Sequence, residues 1–326
     1  MRAVQVDPRG SPDDLHLRGV PEPRAAPGEV LLAVDACAVN RADLLQRRGR
    51  YPPPSRESEI LGLEAAGTIA ALGEGVDRWR VGDRVMALLA GGGYAERVAV
   101  PAGQVMPVPE GMALSAAAAI PEAFLTAWLS LSALTDLHAG EVLLVHAAAS
   151  GVGTAAVQIG RELGARVFGT TRSPAKAATI RALGAEPLVA PEGRFADELR
   201  ARTGGRGADV VLDLVGAALW PETARSLALG ARVSLVGLVG GGRIELDVAA
   251  LMEIQGRIHA TSLRRRSRAQ KSALVEDFSR WAGPRLADGR LAPQVHAVLP
   301  ITAVAEAHRL LETNATVGKV VLTFAP

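Results

Sequence analysis

Apolar residues change their rhythm along this chain. Over roughly the first hundred residues they come in short, alternating or near-continuous runs cut by Pro and Gly, as at Ala3 to Val6, Asp14 to Val20, Glu29 to Val39, Ala65 to Leu72, Arg84 to Leu89 and Tyr94 to Val100. Such runs predict strands, with turns at Pro21 to Gly28 and Gly91 to Gly93. Asn40 to Arg48 reads as a short helix, followed by the loop Tyr51 to Pro54, and Ser115 to Leu134 as one long Ala/Leu-rich helix. From Val142 onward, short buried-type strands alternate with helical spacing. Strands are predicted at Val142 to His146, Arg166 to Thr170, Leu188 to Val189, Asp209 to Val215, Arg232 to Val236 and Arg257 to Ser262. Helices at Ala175 to Leu183 and Phe195 to Thr203 stop at Gly184 and Gly204, as a left-handed C-terminal residue requires. The tail carries helical stretches at Ala269 to Leu286 and Ala303 to Thr313 and a last strand, Val317 to Phe324.

Alternating strand and helix is the pattern of a parallel sheet covered on both faces. The chain is therefore expected to be α/β, a doubly wound six-stranded parallel Rossmann sheet over 123–263 plus a mostly antiparallel β domain over 1–122 that is completed by 264–326. The middle domain is inserted between two parts of the other, with the final strand returning to the first.

The most informative stretch is Glu141 to Lys176. Strand Val142 to Val145 runs into a turn of small residues, Ala147 to Gly153, and then into a helix whose apolar face is Ala156, Val157, Ile159 and Leu163. The turn is a variant of the dinucleotide fingerprint, with Ala148 and Ser150 where the first two glycines of G-x-G-x-x-G would stand. Ala149, Ser150, Gly151, Val152 and Gly153 are small enough to let backbone approach a pyrophosphate, and the helix start offers unpaired N–H groups. Eighteen residues after Gly153, where an NAD site would carry an acid for the ribose hydroxyls, stands Thr171. Thr171, Arg172, Ser173 and Lys176 offer hydroxyl and cationic donors that suit a 2′-phosphate, so NADPH is expected rather than NADH. Ser173 and Pro174 are also expected to cap the next helix.

Composition narrows the class. A chain of 326 residues that is 48% hydrophobic and 21% charged suits a two-domain globular enzyme. A net charge of +2 does not mark a protein built to neutralise nucleic-acid phosphates. The basic run Arg264, Arg265, Arg266, Arg268 and Lys271 lacks interleaved aromatic residues and reads as a solvated face. No leader-like segment or long uninterrupted apolar run is evident, so no membrane association and a cytoplasmic location are expected. The single cysteine, Cys37, excludes an internal disulfide and a cysteine-rich zinc lobe.

Eight segments, in this order and spacing, resemble the medium-chain dehydrogenase/reductase superfamily and, within it, the zinc-free, zeta-crystallin-type quinone oxidoreductases. They are AVNRADLLQRRGRYPPP at 38–54, LGLEAAGTI at 61–69, VGDRVMAL at 81–88, GGYAERVAVP at 92–101, AAIPEAFLTAW at 118–128, HAAASGVGTAAVQI at 146–159, GLVGGG at 237–242 and VGKVVL at 317–322. The resemblance implies a GroES-like catalytic domain, a homodimer, and hydride transfer from NADPH to a quinone. Positions that hold the catalytic zinc in related alcohol dehydrogenases read Asn40, Leu63 and Glu122, of which only the last is a metal ligand by chemistry, so no metal is expected. Without a Lewis acid the acceptor must carry its own activation, as a quinone or an enone does. The resemblance assigns Asn40 and Tyr51 as hydrogen-bond donors to the acceptor oxygen, and Thr126, Gly237, Leu238, Val239, Ser262 and Leu263 to the cofactor. An enoyl or 2-alkenal reductase is the nearest alternative. A non-catalytic NADP- or RNA-binding protein is the alternative of a different class. The stretch Leu188 to Glu192 lacks the tyrosine that NADPH-binding relatives place near the adenosine.

Overall fold

The computed structural model describes residues 1–7, 10–55 and 57–324. Along the chain the strands are β1 (Arg2–Val6), β2 (Leu15–Gly19), β3 (Glu29–Val39), β4 (Glu64–Leu72), β5 (Arg84–Leu88), β6 (Arg97–Pro101), β7 (Val105–Pro107), β8 (Val142–Val145), β9 (Arg166–Thr171), β10 (Glu186–Val189), β11 (Ala208–Asp213), β12 (Leu227–Leu235), β13 (Arg257–Ala260), β14 (Val295–Pro300) and β15 (Lys319–Thr323). Contacts divide the chain into two compact units, Met1–Leu125 with Leu263–Pro326, and Thr126–Ser262.

In the first unit β1 and β2 form a small hairpin sheet, and seven strands form a larger one in the order β14-β15-β3-β4-β5-β7, with β6 pairing β3 off that path. All pairings in the larger sheet are antiparallel except β14 with β15. Val30, Leu32, Val34, Cys37, Ile69, Val85, Val100 and Val320 join in one buried apolar cluster, which Leu44 closes from the helix Arg41–Arg47. β15 pairs with β3 in the register Val320↔Val39, which carries Lys319 to the end of β3 where Asn40 begins the helix. Tyr94 does not begin a strand as its sequence suggests. It lies fully buried in the turn before β6, because its hydroxyl is wanted inside the unit.

In the second unit six parallel strands take the order β10-β9-β8-β11-β12-β13. Chain order therefore reverses between β8 and β11, the position where open α/β sheets receive ligands. This is the doubly wound sheet anticipated from the strand and helix rhythm.

The stretch Leu114 to Leu134 is not one α-helix. Leu114–Ala117 is a single turn, Pro121–Trp128 an α-helix, and Leu129–Leu134 a π-helical turn closed by Thr135, whose hydroxyl donates to the Ser130 and Leu131 carbonyls. Pro121 supplies no N–H and interrupts the ladder. This stretch is long and apolar enough to cross a membrane by composition, yet 78% of its most apolar window is buried inside the protein.

Candidate functional site

In the second unit the site begins where β8 ends. Ala147 takes a left-handed conformation (φ 48°), Ala148 donates its N–H to Thr170 of β9, and Ser150 becomes the N-cap of the helix Gly151–Glu162. Ser150 Oγ accepts the Gly153 N–H at 3.1 Å, leaving the Gly151 and Val152 N–H groups of the first turn without intrahelical acceptors. A Cβ on Gly153 would lie 2.3 Å from Ala147 O, so only glycine allows the helix to start this close to the strand. Gly169 of β9 makes room for Ala148, since a Cβ there would come within 2.6 Å of the Ala148 methyl. The fingerprint glycine replaced by Ala148 is thus compensated on the neighbouring strand. Ala149 is buried beneath the turn. Small side chains, a capped helix start and outward N–H groups together fit a dinucleotide pyrophosphate.

Beyond β9, Thr171 Oγ1 accepts the Ser173 N–H at 3.1 Å. Ser173 holds the N-cap position of the short turn Pro174–Lys176 but makes no side-chain cap bond, which corrects the expected capping role. Its own N–H is taken by Thr171. Arg172 is exposed, and the Lys176 pKa is lowered first by burial and then by the charge of Arg172. Two cations held near each other beside a hydroxyl form a site suited to a dianionic phosphate. No acidic side chain takes the Thr171 position to repel one.

The segment 237–242 is more than a slack turn. Ala217 and Ala218 donate to the Gly241 and Gly240 carbonyls, Gly240 donates to Val215, and a Cβ on Gly237 would meet Leu214 O at 2.2 Å. Leu238 and Val239 project from it, 64% and 58% exposed. Thr126 is buried in the helix Pro121–Trp128, Ser262 closes the second unit, and Leu263 is buried where the chain re-enters the first.

In the first unit Asn40 lies at the centre of a buried polar cluster. Its Nδ2 donates to Ala38 O (3.2 Å) and Glu64 Oε1 (2.9 Å), while Oδ1 accepts from Lys319 Nζ at 2.5 Å. Lys319 Nζ also lies 2.7 Å from Glu64 Oε1, with the two side chains only 6% and 0% exposed. Both amide hydrogens of Asn40 are therefore committed inside the protein. This corrects the expectation that Asn40 is a donor to the acceptor oxygen, because the arrangement leaves it no hydrogen to give. Its backbone N–H donates to Asp43 Oδ2 (2.7 Å), and Asp43 Oδ1 accepts from Gly62 N–H (3.0 Å).

A directed chain continues from Asp43. Arg47 Nη1 is a donor only, so His308 Nδ1, 3.0 Å away, accepts. The imidazole proton is then on Nε2 and faces the Tyr94 hydroxyl at 3.2 Å, which donates to Asp43 Oδ2 at 3.3 Å. Burial and the positive charges of Arg47 and Arg48 push the His308 pKa down to about 3, keeping it neutral. Burial raises Asp43 to about 6 against its backbone donors. Because the chain ends on a guanidinium, which does not release protons, it serves structure and charge balance rather than proton supply.

Tyr51 is anchored by Arg264, whose guanidinium carbon lies 5.2 Å from the Tyr51 ring centroid and whose Nη1 donates to Tyr51 O at 3.2 Å. Arg264 also donates to Ala90 O and Gln46 Oε1. Arg268 pairs with Glu29 and Glu57, and Lys271 is buried. The basic run is thus largely consumed by the protein itself. This corrects the reading of Arg264 and Lys271 as part of a solvated face, since both are buried. Sequence reading missed Lys319 and Glu64; the one local signal was a lysine inside the otherwise apolar run VGKVVL.

The residues at the zinc-ligand positions do not fit a metal. Leu63 is a buried core side chain, the Asn40 amide is saturated, and the Lys319 ammonium already supplies positive charge to the carboxylate between them. A soft divalent ion finds no thiolate or imidazole there.

Residues 26–110 match the family model described as alcohol dehydrogenase GroES-like domain, and residues 151–280 that described as zinc-binding dehydrogenase. The quinone oxidoreductase of Rattus norvegicus is 30% identical over 331 residues, covering 99% of this chain and 97% of that protein. Among solved structures, a mycobacterial protein in complex with NADPH is 32% identical with a TM-score of 0.89, covering 99% of both chains. The CurK enoyl reductase is 29% identical with a TM-score of 0.87, covering 99% and 98%. A region of the polyketide synthase GfsB of Streptomyces halstedii is 37% identical over 303 residues, which are 92% of this chain but 5% of the synthase; the chain spans only a small part of such synthases. The chain belongs to the medium-chain dehydrogenase/reductase family. Its two parts carry the GroES-like and dehydrogenase domains of that family.

Proposed function

We propose that this protein transfers hydride from NADPH to a quinone without a metal ion. The observation that carries the reading is the buried Lys319–Asn40–Glu64 cluster, which leaves no donor set for zinc and so calls for an acceptor that delocalises charge onto its own oxygen. The similarity to a quinone oxidoreductase along nearly its whole length supports this choice. Similarity to an enoyl reductase supports a second reading, reduction of an enoyl or 2-alkenal substrate with the same cofactor. Binding of RNA is disfavoured because Arg264, Arg268 and Lys271 are engaged or buried.

In this reading the Gly151 and Val152 N–H groups hold the pyrophosphate and Arg172 and Lys176 the 2′-phosphate. NADPH, when bound, supplies the hydride. Tyr51, held by Arg264, orients the acceptor, and Thr126, Gly237, Leu238, Val239, Ser262 and Leu263 line the cofactor. A cytoplasmic homodimer closing over the edge strand β13 belongs to the same proposal.

The test is titration of EDTA-treated protein with NADPH and NADH, followed by quinones, alkenals and enoyl thioesters while nicotinamide absorbance is recorded. Metal-independent oxidation of NADPH by quinones is expected. Turnover with enones alone moves the assignment to the second reading, and binding without any turnover removes both.

A further inference from the structure

A cavity of about 230 Å³ lies in the second unit, where β12 and β13 meet the chain that leaves the π-helical turn Leu129–Leu134. No residue assigned to the cofactor or the acceptor lines it. β12 pairs with β13 in the register Arg232↔Arg257 and Ser234↔His259, and residues two apart on a strand share a face. Arg232, Ser234, Arg257 and His259 therefore stand together on one side of the sheet. Arg232 is held firmly: Nε donates to Thr135 O (2.6 Å), Nη2 to Asp136 O (3.3 Å), and Nη1 and Nη2 to the two carboxylate oxygens of Glu141 (3.0 and 2.6 Å). Both side chains of that ion pair are 16% exposed. Four of the five guanidinium hydrogens are thus spent, the charge is balanced, and one Nη1 hydrogen remains.

Arg257 has no such partner. Among the described residues, no hydrogen bond or ion pair engages its guanidinium or the His259 imidazole, although both line the cavity. Like charges directly opposite on neighbouring strands repel, and Glu141 neutralises Arg232 but not Arg257. Beside His259 in the same register, the hydroxyl of the completely buried Ser234 is also without a partner among the described residues. His138 enters the cavity wall from the loop, 3.3 Å from the carboxylate of Asp136, which is itself 84% exposed and faces water. The unspent donors thus come from two strands and a loop. Donors converging from several directions suit a tetrahedral oxyanion better than a flat carboxylate.

We propose that this cavity binds a phosphate group, as inorganic phosphate or as the head of a small phosphate monoester. Arg257 supplies the uncompensated charge, and His259 and the spare Nη1 hydrogen of Arg232 complete the donor set. The site is distinct from the 2′-phosphate position. Arg172 and Lys176 follow the C-terminal end of β9, whereas Arg257 opens β13 and Glu141 precedes β8, at the opposite end of the parallel sheet. Pairing of the β13 edge with a second copy would engage its backbone groups and leave the side chains of Arg257 and His259 on the sheet face.

The experiment is isothermal titration with sodium phosphate and with glycerol 3-phosphate at constant ionic strength. The protein carries Arg172→Ala and Lys176→Ala, so that the cofactor position contributes nothing. Saturable uptake of one anion per chain is expected. Tighter binding of glycerol 3-phosphate identifies the monoester as the ligand, and tighter binding of inorganic phosphate identifies the free anion. Adding Arg257→Gln should weaken binding about tenfold or more, and adding His259→Ala by a smaller factor. Arg257 is exposed, so its replacement should leave the thermal midpoint without anion where it was. In nuclear magnetic resonance spectra, the His259 ring protons, identified by their loss in His259→Ala, should shift as either anion is added. Binding that does not saturate, binding that Arg257→Gln leaves unchanged, or His259 resonances that stay fixed overturns the inference, and the cations of β13 then only keep its edge soluble.

Discussion

Lys319 and Glu64 form an ion pair 2.7 Å long that is almost wholly withdrawn from solvent, with Asn40 bridging them. Breaking one side of such a pair strands a charge. Lys319→Met is expected to cost about 3–5 kcal/mol of stability in urea denaturation, and Lys319→Met with Glu64→Gln to recover much of it. Equal losses in the single and double variants would mean that packing, not charge, dominates the site.

Gly153→Ala places a methyl 2.3 Å from Ala147 O, at the point where the cofactor turn and its helix are closest. A destabilisation of about 1–3 kcal/mol is expected, from forced backbone displacement. Isothermal titration should show weakened binding of NADPH and NADH alike, since the pyrophosphate is common to both.

Arg172→Ala with Lys176→Ala should act on one cofactor only. A loss of about 10- to 100-fold in NADPH affinity is expected, with NADH little changed, as the removed charge-assisted bonds serve only the 2′-phosphate. Equal weakening of both cofactors in a binding titration would remove the phosphate site from this position.

His308 imposes a pH dependence on folding. Its native pKa, about 3, lies below its ordinary value of 6.5, so between these limits the unfolded chain binds the extra proton. Stability contributed by the neutral imidazole is complete above pH 6.5 and is lost as pH falls toward 3, by at most about 5 kcal/mol. Asp43, raised to about 6, works in the opposite direction over part of the window, because the native state holds its proton longer. Comparing denaturation midpoints of wild type and His308→Gln from acid to neutral pH isolates the histidine. The variant should show the shallower acid limb.

Removal of metal should change nothing. Thermal midpoints with EDTA and with added zinc are expected to coincide, with no stoichiometric zinc retained after dialysis. A stabilising shift with zinc, abolished by Glu122→Gln, would restore a metal to the site.

The parallel sheet was legible because its strands are short apolar blocks and its helices end on glycines at 184 and 204, all local signals. The long helix expected over Ser115 to Leu134 was misread because composition does not reveal that Pro121 and the Thr135 hydroxyl partition it. β14 escaped notice since its residues alternate between half-buried and exposed, the mark of a strand packed on one face only. Asn40 was found from its motif, yet its role was not, because the partner that saturates it is 279 residues away and arrives only through the Val320↔Val39 register. Long-range pairing of that kind leaves no periodic trace in a sequence.

That register also sets an order of assembly during synthesis. The unit Thr126–Ser262 is contiguous, and all six of its strands have been made before β14 and β15 exist. The other unit cannot close when its first 125 residues emerge, because β3 still lacks its neighbour β15 and Glu64 its counter-ion Lys319. On the ribosome the middle of the chain is therefore free to fold first, while the beginning waits, with an unpaired strand edge and with Glu64 still lacking the counter-ion its burial requires, for residues almost two hundred positions downstream of it. Chaperone demand during translation should accordingly concentrate on the N-terminal segment.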